Sequence, residues 1–220
     1  AGSFPSESSL TIIVGENGTG KTTFLKKILT KLEFKISYKP QYPDLSQVPE
    51  NPTVRDFLYN NIGKAMSDPM FDSDVIVLLK MKSVYEKKLS ELSGGELQKV
   101  AIVYCLGTDA QIYILDEPSA ALDIEQRFNI IKVIKKFITH NNKMGFIVEH
   151  DITMSISLAS ETNSQIIIFS KDNTNNNIKH CIASTPVGIN EGMDQFLKIL
   201  NVTFRKSNRD SRPRINMKGS

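Results

Sequence analysis

Gly15-Glu16-Asn17-Gly18-Thr19-Gly20-Lys21-Thr22 follows the apolar run Leu10-Thr11-Ile12-Ile13-Val14 and opens a helix-like segment from Lys21 to about Leu32. A β-branched run that stops at a glycine reads as a buried parallel strand, so the octapeptide sits at a strand-to-helix turn. That is the context in which the pattern GxxxxGK[ST] cradles phosphates. Glycines let backbone N–H groups converge on phosphate oxygens, and the positive end of the helix dipole adds to the attraction. Asn17, Gly18, Thr19, Gly20, Lys21, Thr22 and Thr23 are therefore expected to surround the phosphates of ATP, with Lys21 on the β and γ phosphates and Thr22 on Mg²⁺.

Outward from this turn the chain alternates helices with short apolar strands. Ile36–Lys39, Ile112–Leu115, Met144–Val148 and Gln165–Phe169 read as strands, and Gly95–Leu106 and Ile124–Thr139 as helices. Such alternation implies an α/β fold with a doubly wound parallel sheet. Between Thr53, a helix N-cap, and Leu92 the pattern is helical only, which reads as an inserted subdomain. The polar Asp172–Asn177 stretch reads as an exposed hairpin loop.

Ile112-Tyr113-Ile114-Leu115-Asp116-Glu117-Pro118 is a strand ending in two carboxylates, and the C-terminal ends of parallel strands are where open sheets bind ligands. Asp116 is expected to hold Mg²⁺, and Glu117 to orient and deprotonate an attacking water. Leu92-Ser93-Gly94-Gly95-Glu96-Leu97-Gln98 offers a hydroxyl and bare amides at a helix N-terminus. Ser93, Gly94 and Gly95 can bind an anion there, while Ser93 and Glu96 form a capping box. One nucleotide does not need two cradles in one domain, so the second is expected to serve a nucleotide held by another domain.

Bulk properties are those of a single globular unit with a small subdomain: 220 residues, 40% hydrophobic, 23% charged, net charge +3. No apolar run reaches the ~18–20 residues of a membrane span. Two cysteines supply neither a disulfide framework nor a metal cluster, as expected of a cytoplasmic protein.

The wording LSGGELQ resembles the signature motif of ATP-binding-cassette proteins. With it GENGTGKTT, YKPQ, DEPSAALD, VEHD and a tail from Thr203 to Asn216 ending RPRIN resemble the second cassette of the E subfamily, the RNase L inhibitor or ribosome-recycling ATPases. The resemblance covers nearly the whole chain. It implies a P-loop core with an inserted helical subdomain, and an Mg-dependent ATPase that splits ribosomal subunits by ATP-driven closure of paired cassettes. It also implies that Gln41 contacts Mg²⁺ and the attacking water, that Ser119–Asp123 is the D-loop, and that His150 is the switch histidine at the γ-phosphate. The expected partners are a second cassette of the same protein, ribosomal subunits and termination factors, with no membrane.

On this reading residues 1–50 are the first part of the core with its N-terminal strands truncated. Residues 51–94 are the helical subdomain ending in the signature, 95–200 the second part of the core, and 201–220 a basic hinge-like tail. The chain is read as a fragment with one cassette. Fourteen residues precede Gly15, and Phe4 is too close to it to replace the usual adenine-stacking aromatic. Ala121 stands where a bulkier residue is expected. In the tail, Arg205, Lys206, Arg209, Arg212 and Arg214 could meet rRNA phosphates, but a packing hinge is the preferred reading. The competing functions are the nucleotide-binding subunit of a membrane transporter and a nucleotide-gated clamp with negligible turnover.

Overall fold

The computed structural model describes residues 9–29, 33–46, 48–159, 164–172, 180–199, 202–206 and 213–217. Its centre is β1 (Ser9–Gly15), followed through the phosphate-loop turn by α1 (Lys21–Leu29) and then β2 (Ile36–Lys39). A helical region comes next: α2 (Val54–Met66), the single turn α3 (Pro69–Phe71), a π-turn at Asp72–Ile76, and 3₁₀ turns at Met81–Val84 and Leu89–Glu91. The chain returns through α4 (Gly94–Gly107), β3 (Ile112–Asp116), α5 (Ile124–His140), β4 (Met144–Val148), α6 (Ile152–Ala159) and β5 (Gln165–Asp172). It ends with β6 (His180–Ala183), β7 (Val187–Gly188), α7 (Ile189–Ile199), β8 (Val202–Lys206) and β9 (Pro213–Met217).

The main sheet runs β2-β3-β4-β1-β5-β6, parallel from β2 to β5, with β6 and β7 both antiparallel to β5. Successive strand residues face opposite sides, and the apolar residues divide accordingly. Leu10, Ile12, Val14, Tyr113, Leu115, Ile147, Ile166 and Ile168 join the larger core, which includes α4, α5 and the helical region. Ile13, Ile112, Ile114, Phe146, Val148, Ile167 and Phe169 form the smaller core with Leu25 of α1. Both faces are covered, which is why these strands read as continuous apolar runs.

Thr53 caps α2 by accepting the Asp56 amide at 3.2 Å. Farther along, the buried Asp74 carboxylate meets His140 Nδ1 at 2.6 Å and Lys136 Nζ at 3.5 Å, both on α5, which ties the helical region to the core. α4 is also fixed to the sheet, because Ser37 Oγ donates to the Cys105 carbonyl at 2.7 Å.

Strand and helix bounds agree closely with the sequence expectation up to β5. The hairpin expected at Asp172–Asn177 agrees with the antiparallel pairing of β6 with β5; β7, α7 and the β8–β9 pair were not anticipated. The tail was expected to be an extended hinge-like segment; its described parts are extended but paired with each other, Val202 opposite Met217 and Lys206 opposite Pro213. Phe4, the end of the first helix at 30–32, Arg209, Arg212 and most of the Asp172–Asn177 loop lie outside the described residues.

Gly15 fixes the exit of β1. A Cβ there would lie 2.4 Å from the Phe169 carbonyl oxygen and 2.8 Å from the Phe169 Cβ of the paired strand. The substitution Gly15→Ala is therefore expected to destabilise the fold by about 1–3 kcal/mol, the usual cost of overpacking, read from urea unfolding. An unchanged midpoint would mean that the β1–β5 pairing yields without cost.

Candidate functional site

The turn after β1 wraps around the side chain of Lys21. Lys21 is 6% exposed, and its Nζ donates to the carbonyls of Gly15 and Glu16 at 2.8 and 2.9 Å. Burial lowers its pKa, against the opposing charges of Glu117 and Asp116. Thr19 Oγ1 closes the loop onto the Glu16 carbonyl at 2.7 Å. Gly20 has φ +85°, a conformation side chains resist, and a Cβ at Gly18 or Gly20 would meet no protein atom within 4 Å. The concave side of the loop is thus open backbone, as a phosphate ligand requires.

β3 lies one strand beyond β4 from β1, and its parallel direction ends it on the same edge of the sheet as this loop, which brings the acidic residues to it. Asp116 ends β3, is 1% exposed, and accepts the Thr22 hydroxyl at 3.0 Å and the Tyr38 hydroxyl at 3.5 Å. Burial raises its pKa, partly offset by the Thr22 hydrogen bond. The Tyr38 phenol is pushed up to about 12 by its own burial, with the Asp116 charge adding to the effect.

Three neighbouring parallel strands deliver the next three residues. In the β2–β3 ladder Lys39 pairs with Leu115, and in the β3–β4 ladder Asp116 pairs with Val148. Two residues beyond β2, one beyond β3 and two beyond β4 stand Gln41, Glu117 and His150. Glu117 Oε2 accepts Gln41 Nε2 at 2.7 Å and lies 3.4 Å from His150 Nδ1. Its backbone is left-handed at φ +45°, and its N–H donates to the Val148 carbonyl at 3.0 Å. A cleft of about 560 Å³ is lined by Asn17 to Thr23, Gln41, Tyr42, Glu117 and His150.

Ser93, Gly94 and Gly95 are not among the residues lining this cleft. They start α4, where Ser93 Oγ accepts the Glu96 amide at 3.4 Å and Glu96 Oε2 accepts the Ser93 amide at 2.9 Å. Lys87 bonds Glu96 at 2.8 Å and, with the Ser93 amide, draws its pKa down to about 2. The link from this helix to the cleft is Gln98, whose Nε2 donates to the Gln41 carbonyl at 2.8 Å. Ala121 has φ +60°, and a Cβ on Gly95 would come within 3.1 Å of its carbonyl oxygen. The two segments therefore lie in close contact at Gly95, where an added Cβ would be tight.

Four residues at the site escaped the sequence reading: Tyr38, Lys39, Gln98 and Glu149. Lys39 and Glu149 carried a usable signal, since each is an ionisable residue at a position that strand periodicity makes buried; they are 1% and 0% exposed.

Residues 6–120 match the family model described as ABC transporter. ABC transporter E family member 1 of Arabidopsis thaliana is 42% identical over 221 residues, 96% of this chain and 35% of that protein. Translation initiation factor RLI1 of Saccharomyces cerevisiae is 41% identical, covering 96% of this chain and 34% of that protein. Among solved structures, the ABCE1 chain in a model of ribosome-bound archaeal Pelota and ABCE1 superposes with a TM-score of 0.84 at 34% identity, over 97% of this chain and 36% of that one. The chain thus spans about a third of the length of the curated relatives it matches. Its strand order, its phosphate loop and its likeness along nearly the whole chain make it a member of the E subfamily of ATP-binding-cassette proteins.

Proposed function

We propose that this chain binds Mg·ATP in the cleft under the phosphate loop and hydrolyses it as one cassette of a cytoplasmic ribosome-recycling ATPase. The observation that carries the reading is Glu117, whose carboxylate is bonded to Gln41 and adjacent to His150 at the mouth of that cleft. A general base must lie within hydrogen-bond reach of the water it deprotonates. Gln41 and His150 hold Glu117 in such a posture.

The oxygen donors fit a hard divalent cation. Thr22 and Asp116 stand hydroxyl to carboxylate at 3.0 Å, and among the described residues no group of three or more His, Cys, Asp or Glu side chains could enclose a metal. Mg²⁺ is commonly held in this way, by one or two protein oxygens with phosphate and water completing the octahedron. When bound, Mg²⁺ supplies charge neutralisation at the β and γ phosphates. Lys21 then exchanges its loop carbonyls for phosphate oxygens, and the amides from Asn17 to Thr23 hold the phosphate chain. Glu117 takes a proton from water as that oxygen bonds to the γ-phosphorus and the bond to the β-phosphate oxygen breaks, leaving ADP and phosphate. His150 and Gln41 keep the carboxylate and the water in line.

Ser93, Gly94 and Gly95, which do not line this cleft, act on the nucleotide of a paired cassette. Two relatives point to the ribosome: one is named a translation initiation factor, and another belongs to a model of ribosome-bound archaeal Pelota and ABCE1. No helix of the described residues is long and apolar enough to cross a membrane. The tail's bases serve packing against the paired cassette, with rRNA contact as the second use.

Lys21→Ala is expected to weaken binding of a fluorescent ATP analogue at least about tenfold, because a charged partner of the phosphates is lost, while the melting temperature holds. Equal affinities would remove Lys21 from the site. Glu117→Gln in the complete protein keeps a hydrogen-bonding side chain but cannot accept a proton; single-turnover hydrolysis should fall by about 10²–10⁴-fold with binding retained. Wild-type hydrolysis would mean that another group is the base. Co-sedimentation of the complete protein with ribosomal subunits should increase with a non-hydrolysable ATP analogue, and nucleotide-independent binding would count against the recycling reading.

A further inference from the structure

Beneath the cleft lie two ionisable side chains that the hydrolytic scheme above does not use. Lys39, at the end of β2, is fully buried, and its Nζ donates to the main-chain carbonyls of Asp116 at 3.0 Å and Glu117 at 3.3 Å. Glu149, the residue after β4, is also fully buried, and its Oε1 accepts the Ser119 amide at 3.2 Å. Its second oxygen has no hydrogen-bond partner among the described residues. Burial draws the Lys39 ammonium down to about 8, with the charges of Asp116 and Glu149 opposing it. Burial pushes the Glu149 carboxyl up to about 7, with Ser119 opposing.

A lysine costs free energy in such a place unless its donors are used. Here they are used on a turn whose backbone is otherwise unfavourable: Glu117 is a non-glycine residue at φ +45°, a conformation that persists only where surroundings hold it. Lys39 holds both carbonyls that flank the Glu117 side chain in sequence. Glu149 holds the amide two residues on.

We infer that Lys39 is a positioning residue for hydrolysis: it clamps the Asp116–Glu117 main chain, with Glu149 clamping Ser119, so that the Glu117 carboxylate stays aimed at Gln41 and His150. Lys39 and Glu149 are each within two residues of Gln41 and His150 along the chain, so one buried couple braces all three residues from below. This inference rests on the reading of Glu117 as the base. It assigns no contact with nucleotide to either residue.

The test compares wild type, Lys39→Met, and Lys39→Met with Glu149→Gln, the last removing both buried charges while leaving an acceptor for Ser119. Backbone amide exchange should accelerate by about tenfold or more at Asp116, Glu117, Ser119 and Ala120, in both variants, with β3 (112–115) and β4 (144–148) still protected. Exchange rising equally through β2, β3 and β4 would overturn the inference, because Lys39 would then be only a core element. Wild-type exchange at Asp116, Glu117, Ser119 and Ala120 in the double variant would also overturn it, because Lys39 would then merely neutralise Glu149. In the complete protein Lys39→Met should lower single-turnover hydrolysis by about 10- to 100-fold, as expected when a catalytic group is misplaced, with affinity for the ATP analogue unchanged. In a Glu117→Gln background the same change should lower the residual rate no further. A further loss there, or a loss of affinity in place of rate, would mean that Lys39 does not act through Glu117. Failure of the underlying reading shows up separately, as wild-type hydrolysis by Glu117→Gln alone with the exchange result intact.

Discussion

Parallel pairing of β3 between β2 and β4 is the constraint on which the site depends. Parallel strands all end on the same edge, so residues far apart in sequence are delivered to one place. Gln41, Glu117 and His150 meet because the ladders fix Lys39 beside Leu115 and Asp116 beside Val148. A slip of one residue in either ladder would turn each side chain to the other face. The register is secured by apolar residues buried on both faces, and at β1 by the close fit of Gly15 against Phe169.

A site built this way concentrates charge where water is scarce. Lys21, Lys39, Asp116, Glu117 and Glu149 are all buried, and each would be costly alone. Most of their polar atoms are answered by main-chain groups or neighbouring side chains: carbonyls for the two lysines, hydroxyls for Asp116, an amide for Glu149. In the phosphate loop the lysine is satisfied by the loop's own carbonyls, which phosphate oxygens can replace with a stronger, charge-assisted bond.

The helical region is tied to α5 through Asp74 and Lys80 and to α4 through the Lys87–Glu96 pair. α4 is in turn tied to the centre, where Gln98 binds the main chain of Gln41 and Ser37 binds the α4 main chain. A movement of α4 would therefore be transmitted to Gln41 directly, and through it to Glu117. Farther on, Arg127 bonds both the Leu122 carbonyl and Asp151, which connects the D-loop segment with the residue after His150.

The sequence by itself determined the α/β class, the phosphate loop and the order of the motifs, because these depend on local rules: glycine at a strand-to-helix turn, apolar runs of strand length, capping residues before helices. It also singled out Asp116, Glu117, Gln41 and His150 as candidates, the last two only through family resemblance. Tertiary structure alone decided which of them touch. The Gln41–Glu117 bond spans 76 positions and the Thr22–Asp116 bond 94, separations that no local pattern encodes. Lys39 and Glu149 show in the sequence as ionisable residues beside buried strands, but what each charge is for was not legible there, because only the carbonyls and amide brought by the adjacent strand give it a use. The hairpin leading to β6 was legible as a polar loop after an apolar strand, but β7 and the self-paired tail were undecided locally, since edge strands take their place from the partner they find.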